Sequence, residues 1–210
     1  MMRITSITRK SGTRYTVEVD DAYWYIVDEE ILSSCHLRRG MEVDEEFLQQ
    51  VKRRAEERRA REYAFHLLEV RDYAEKELYD KLCRHVSKET AAMTVAKMIE
   101  LGLLDDERYA AKLAEFLLTQ KKFSRRRSLY EMQRRGVSRE QAELALEAVE
   151  VTPEEQLRAL IEQKYLRRLQ EPDGHRKVLA ALARQGFGYS DIQHALQEYE
   201  NEEDDSWQYE

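Results

Sequence analysis

The sequence predicts a mainly α-helical protein: three tandem three-helix repeats in an elongated array, preceded by a small antiparallel β segment. Three observations carry this prediction. The 210 residues are 37% charged and 42% apolar, with two prolines and seven glycines, a composition suited to long amphipathic helices with solvated charged faces. Short β-branched and aromatic runs are confined to the first fifty residues. Beyond them, helix breaks return at intervals of fifty residues, the mark of a repeat architecture.

The N-terminal segment, 1–50, holds Ile4–Thr8, Tyr15–Val19 and Trp24–Val27, interrupted by Ser11-Gly12 and Asp20-Asp21. Tyr15, Val17 and Val19 alternate as a half-buried strand does. A sheet of two or three strands is marginal alone in water, so it needs a neighbour, and Ile31, Leu32 and Leu37 are suited to supply the contact. Asp44 then caps a helix that begins Glu45-Glu46 and carries Phe47, Leu48 and Val51.

The repeats are read as 51–104, 105–151 and 152–200. Leu82, Met132 and Leu182 are spaced by fifty, as are Tyr73 and Phe123. After each break the register resumes: Ala91, Ala142 and Ile192 correspond, and so do Val95, Leu146 and Leu196. Gly136 and Gly186 are placed to end helices in the left-handed conformation. Ser138 to Gln141 and Ser190 to Gln193 read as capping boxes, and Thr152-Pro153-Glu154-Glu155 as a cap followed by proline at the first helical position. Gly102 and Asp105-Asp106 mark the first joint. The first repeat reads Arg84-His85-Val86 where the other two have glycine, and the third carries an irregular Leu169–Gly174. The last segment, 201–210, reads as a disordered acidic tail, either solubilising or competing with phosphates for a basic face. From Glu198 to Glu210 there are seven acids and no base, so the net charge of −7 belongs to this end and residues 1–197 are neutral overall.

The chemistry-bearing residues point to binding. His36, His66, His85, His175 and His194 are scattered, and Cys35 and Cys83 stand alone without a CxxC pair. Neither the spacings of metal ligands nor a phosphate-cradling glycine loop occurs, so no enzyme activity, metal or cofactor is expected. Paired acids such as Glu45-Glu46 and Asp105-Asp106 are explained as helix starts, where the dipole favours them. The dense cationic group is Lys121, Lys122, Arg125, Arg126, Arg127, Arg134, Arg135 and Arg139, opposed within that stretch by Glu131 alone. Arg127 and Arg134 lie seven apart, with Lys121 near the same helical face. A second basic run spans Lys52 to Arg61, and the third repeat adds Lys164, Arg167, Arg168, Arg176, Lys177 and Arg184. The partner of the central cluster is either phosphate or an acidic protein surface. Tyr73 and Phe123 read as core. No apolar run reaches the length of a membrane span, and MMRITSITRK lacks the apolar heart of a signal peptide, so a cytoplasmic monomer is expected.

Arg59-Ala-Arg-Glu-Tyr-Ala-Phe-His-Leu-Leu68 and Ala74-Glu-Lys-Glu-Leu-Tyr-Asp-Lys-Leu82 resemble the first repeat of the bacterial RecX family. Ile99-Glu-Leu-Gly-Leu-Leu-Asp-Asp-Glu-Arg-Tyr-Ala110 is the most specific stretch. Ser124-Arg-Arg-Arg-Ser-Leu-Tyr-Glu-Met-Gln-Arg-Arg-Gly-Val137 resembles the second repeat, and Val27-Asp-Glu-Glu-Ile31 with Leu37-Arg-Arg-Gly-Met41 the N-terminal extension of longer members. The resemblance implies three three-helix units that bind the RecA recombinase, chiefly as its filament on single-stranded DNA, and inhibit its recombinase, ATPase and co-protease activities without a cofactor. It brings no catalytic residues. The alternative is a protein that binds DNA directly, though weakly, through its basic second repeat.

Overall fold

The computed structural model describes residues 1–206, with side chains described through residue 199. The chain divides into two compact units, one of residues 1–71 and 78–103, the other of residues 72–77 and 104–210.

In the first unit, β1 (Met2–Ser11), β2 (Arg14–Val19), β3 (Ala22–Asp28) and β4 (Glu42–Val43) form an antiparallel sheet in the order β3-β2-β1-β4. Ile4 faces Val19 and Val17 faces Tyr25 across the ladders. Ile4, Val17, Val19 and Val27 are buried together with Ile31, Leu37 and Val43. Ile31 comes from α1 (Glu29–Ser34), a short helix that the sequence pattern did not single out, capped by Asp28. The core is closed by Leu48, Val51 and Ala55 of α2 (Glu45–Val70), which Asp44 caps through the Phe47 amide. The sheet has four strands rather than the two or three expected, and sheet and helix share one core that buries its apolar face.

Polar contacts reinforce that docking. Arg58 of α2 pairs with Asp28 at 2.8 Å, with Glu62 at 2.9 Å, and with Glu30. Arg59 donates to the Ile26 carbonyl at 3.3 Å, and Lys52 and Arg59 each lie 5.6 Å from the Tyr25 ring. Much of the first basic run thus fastens the N-terminal sheet. The unit also contains α4 (Lys88–Glu100), capped by Ser87, whose Ala91, Val95 and Met98 are buried. Between α2 and α4 the chain runs through α3 (Glu75–Leu82), and the boundary between the units falls within this helix.

The second unit repeats one pattern twice. The first copy comprises α5 (Asp106–Glu115), a π-helical segment at Phe116–Gln120, α6 (Arg125–Arg134) and α7 (Arg139–Glu147). The second comprises α8 (Pro153–Leu160), a π-helical segment at Ile161–Tyr165, α9 (Leu166–Leu169), α10 (Gly174–Arg184) and α11 (Tyr189–Ser206). Met132, Ala142 and Leu146 are buried in one core, and their counterparts Leu182, Ile192 and Leu196 in the other. The capping boxes Ser138/Gln141 and Thr152/Glu155 are both formed. The box expected at Ser190/Gln193 is not. The helix starts at Tyr189, and the Gln193 side chain donates to the Tyr189 hydroxyl at 3.0 Å. The repeat explains the shift: fifty residues after the Ser138 cap stands Gly188, and Ser190 already lies inside the helix.

The irregular stretch of the third repeat is a tight turn with Asp173 at φ 60°. A Cβ on Gly174 would come within 2.1 Å of the Arg168 carbonyl and 2.7 Å of the Leu169 carbonyl, so only glycine fits. Helix α11 continues to Ser206, past the residue at which the sequence suggested a disordered tail. Glutamate is a good helix former, and extending a helix already nucleated costs little. Residues 207–210 of that tail lie outside the described residues.

Candidate partner-binding surface

The surface is built by a joint that the second unit uses twice. At the end of α10, Gly186 has φ 92°, and a Cβ there would lie 2.4 Å from the Ser124 hydroxyl oxygen and 3.0 Å from Arg127 Cβ. The Ser124 amide donates to the Gln185 carbonyl at 3.2 Å. The C-terminus of α10 is therefore seated on the N-terminus of α6. At the end of α6, Gly136 has φ 91°, and its Cβ would lie 3.1 Å from the Glu77 amide nitrogen, 3.2 Å from Lys76 Cβ and 3.5 Å from Ala74 Cβ. The C-terminus of α6 is seated in the same way on residues 74–77, which begin α3. Ser124 and Arg127 are the fifty-residue counterparts of Ala74 and Glu77. One docking rule thus joins the second helices of successive repeats end to end.

Side chains complete the joints. Buried Gln156 donates from Nε2 to the Leu118 carbonyl at 2.7 Å and the Phe123 carbonyl at 3.0 Å, satisfying the end of the π-helical segment and the turn after it. Asp105 caps α5 through the Arg108 amide, while Asp106 accepts the Glu75 amide at 2.8 Å. Burial pushes the Asp106 carboxyl up, the Glu75 N–H acts against the rise, and the Asp105 charge adds to it. Burial and the Asp106 charge push the Glu75 carboxyl up as well. The stretch most specific in the resemblance is thus joint machinery, with Leu104, Tyr109 and Ala110 buried around it.

The eight cations singled out from the sequence divide by role. Arg125 donates to the Leu146 carbonyl, to Val149 at 3.1 Å and to Val151 at 3.4 Å, capping the C-terminal end of α7. Arg127 donates to the Arg184 carbonyl at 2.8 Å and to Gln185 Oε1 at 3.1 Å, with its guanidinium 3.9 Å from the Phe123 ring centroid. Both close the fold: Arg127 and Arg134 share one side of α6 by their seven-residue spacing, but the Arg127 guanidinium is engaged at the α10 end, and Lys121 lies before the helix. Arg127 turns toward the α10 end because the joint leaves carbonyls there that need donors. Lys121 follows the π-helical segment and sits 5.4 Å from the Phe116 ring. Lys122, at φ 51°, occupies the turn before α6. Arg139 pairs with Glu143 at 2.8 Å, which raises its pKa, and lies on α7. Arg135 is the C-cap residue of α6.

The exposed face of α6 instead carries Arg126, Tyr130 and Arg134, spaced by four. The Arg126 side chain has no hydrogen-bond or ion-pair partner among the described residues. Arg134 reaches Glu131 at 3.2 Å with its side chain 65% exposed, and Tyr130 is 63% exposed. Tyr130 escaped the sequence reading, which singled out Tyr73 and Phe123 in the repeats; its four-residue spacing from two arginines was the available signal. Tyr73 is buried and Phe123 half-buried, as core residues should be. The two arginine positions recur: Arg176 and Arg184 on α10, Lys76 and Arg84 around α3, all exposed. No group of three or more His, Cys, Asp or Glu among the described residues is placed to hold a metal, and no helix among them is long and apolar enough to cross a membrane.

Comparison with known proteins agrees with this architecture. Residues 60–98 match the model of the first three-helix domain of RecX, and residues 105–146 that of the second. The "Regulatory protein RecX" of Caldanaerobacter subterraneus subsp. tengcongensis is 31% identical over 196 residues, covering 90% of this chain and 95% of the relative. That of Amycolatopsis mediterranei is 33% identical over 150 residues, covering 68% and 86%. A crystal structure of regulatory protein RecX superposes with a TM-score of 0.61 at 20% identity, covering 94% of this chain and all of the other. RecX from Lactobacillus salivarius gives a TM-score of 0.57 at 21% identity, covering 68% and 96%.

Proposed function

The chain belongs to the RecX family of regulatory proteins, and from that premise we propose that it binds the RecA recombinase, chiefly as the filament on single-stranded DNA, and inhibits the recombinase, ATPase and co-protease activities of that filament. The observation that supports this reading is the joint used twice at matching positions, Gly186 on Ser124 and Gly136 on Ala74. It presents equivalent helix faces at regular intervals. A filament presents equivalent protomers at regular intervals, and a repeating surface meets a repeating partner through several modest contacts that add by effective concentration. Such binding regulates by occupying the filament, hindering subunit addition or favouring subunit loss, and requires no reacting group or cofactor in the regulator.

The test is ATP hydrolysis by RecA on single-stranded DNA with this protein added. Hydrolysis falls as the protein is titrated in. Unchanged hydrolysis at several-fold excess over RecA refutes the proposal.

A further inference from the structure

We infer that the exposed face of α6 is a single-strand nucleic-acid contact in its own right, in which Tyr130 stacks on a base while Arg126 and Arg134, one turn to either side, hold phosphates of the same strand. The inference stands apart from the recombinase reading, because it concerns bare nucleic acid.

Three observations carry it. The first is what the face contains. Tyr130, 63% exposed between two exposed arginines, belongs to neither core of the second unit. An aromatic ring flanked by cations is the element by which proteins hold unpaired bases, since every base has a face to stack and every strand a charged backbone. The second is what the face lacks. The sole acid of α6 is Glu131, whose side chain is 18% exposed, and α10 contains no acid at all. Arg126 and Arg184 make no side-chain hydrogen bond or ion pair among the described residues, and Arg176 meets Asp173 at 3.3 Å with its side chain 80% exposed. Little has to be given up internally for these guanidinium groups to meet phosphates.

The third is the joint. Arg126 and Arg134 are eight residues apart, about 12 Å along the helix, and Arg176 and Arg184 repeat that spacing on α10. Because the α10 C-terminus is seated on the α6 N-terminus, with the Arg184 carbonyl bonded to Arg127, the second cationic pair leads into the first. A strand held at Tyr130 has further phosphate partners on α10. Polyanionic strand and cationic face are complementary along their lengths, and each nucleotide offers the central ring a base to stack on.

The test measures anisotropy of a labelled oligothymidylate with the full-length protein and no recombinase, across a salt series. Wild-type protein binds, with affinity falling as salt rises. Arg126→Ala with Arg134→Ala reduces the slope of log affinity against log salt by about 1.4, the share of two phosphates on a single strand. Tyr130→Ala weakens oligothymidylate binding about five- to hundredfold while leaving the slope in place, and Tyr130→Phe restores it. Inorganic polyphosphate, a polyanion without bases, separates the two roles: its binding falls with the arginine pair and is unmoved by Tyr130→Ala. Absence of salt-dependent binding overturns the inference, as does equal loss of oligothymidylate and polyphosphate with Tyr130→Ala. Unchanged DNA binding by the arginine pair alongside lost inhibition of RecA also overturns it, assigning the face to the protein partner. Failure of the wild-type protein to inhibit RecA while these effects hold leaves the nucleic-acid contact standing and removes only the recombinase reading.

Discussion

Replacing Gly186 with alanine probes the joint directly, and its cost follows from two features. The backbone stands at φ 92°, where an L side chain costs about 1–2 kcal/mol. The new Cβ would also lie 2.4 Å from the Ser124 oxygen, which now accepts the Arg127 amide at 3.2 Å and caps α6. The hydroxyl must rotate away, and loss of such a cap costs about 1 kcal/mol more. Gly186→Ala should thus destabilise the protein by about 2–3 kcal/mol, and Ser124→Ala alone by about 1 kcal/mol. In the double variant the cap is lost only once, so its cost should fall about 1 kcal/mol short of the sum. Urea denaturation followed by far-UV ellipticity gives the free energies, and hydrogen exchange localises them to α6 and α10. Additivity of the two substitutions within about 0.5 kcal/mol refutes the reasoning, because it would mean that Gly186 and Ser124 do not share an interface.

Two further outcomes distinguish fold from surface. Arg125→Ala should cost about 1–2 kcal/mol because it strips the carbonyls at the end of α7 of their donor, whereas Arg126→Ala should change stability by less than about 0.5 kcal/mol; equal effects in the same urea titration would refute the division of the cluster. The raised Asp106 and Glu75 carboxyls bind protons more tightly when folded than unfolded, so their ionisation opposes folding above the raised values, and this penalty lifts as pH falls through them toward the ordinary carboxylate range. Asp106→Asn keeps an oxygen for the Glu75 amide and removes that charge, so its stability relative to wild type should be more favourable at pH 7 than at pH 4; a difference independent of pH refutes it.

The repeat and its cores were legible because periodicity is a property of the chain itself. Burial selects Met132 and Leu182, Ala142 and Ile192, by the same geometry fifty residues apart. The turns at Gly136 and Gly186 were legible for a related reason, since few residues tolerate that backbone. What the sequence concealed was direction. Arg125, Arg126 and Arg127 are adjacent and chemically identical, yet two reach helix ends and one faces outward, because successive helical residues point about 100° apart and the carbonyls that capture Arg125 and Arg127 come from residues 21 to 58 positions away. The π-helical segments were hidden as well, an added residue per turn leaving no mark on composition. The joint also gives a physical meaning to an oddity of the sequence. Gly136 and Gly186 are required where a second helix ends against the start of the second helix one repeat earlier. The corresponding turn of the first repeat has no earlier repeat to meet. That turn is one residue shorter: the Val86 amide returns to the Leu82 carbonyl at 3.0 Å, as Val137 does to Met132, with no left-handed residue between, and the His85 ring lies 4.8 Å from Tyr63 in an edge-on contact. The missing glycine is therefore the mark of a repeat that begins the series: where no helix start has to be admitted, the turn can close one residue sooner, and His85 packs on its own unit.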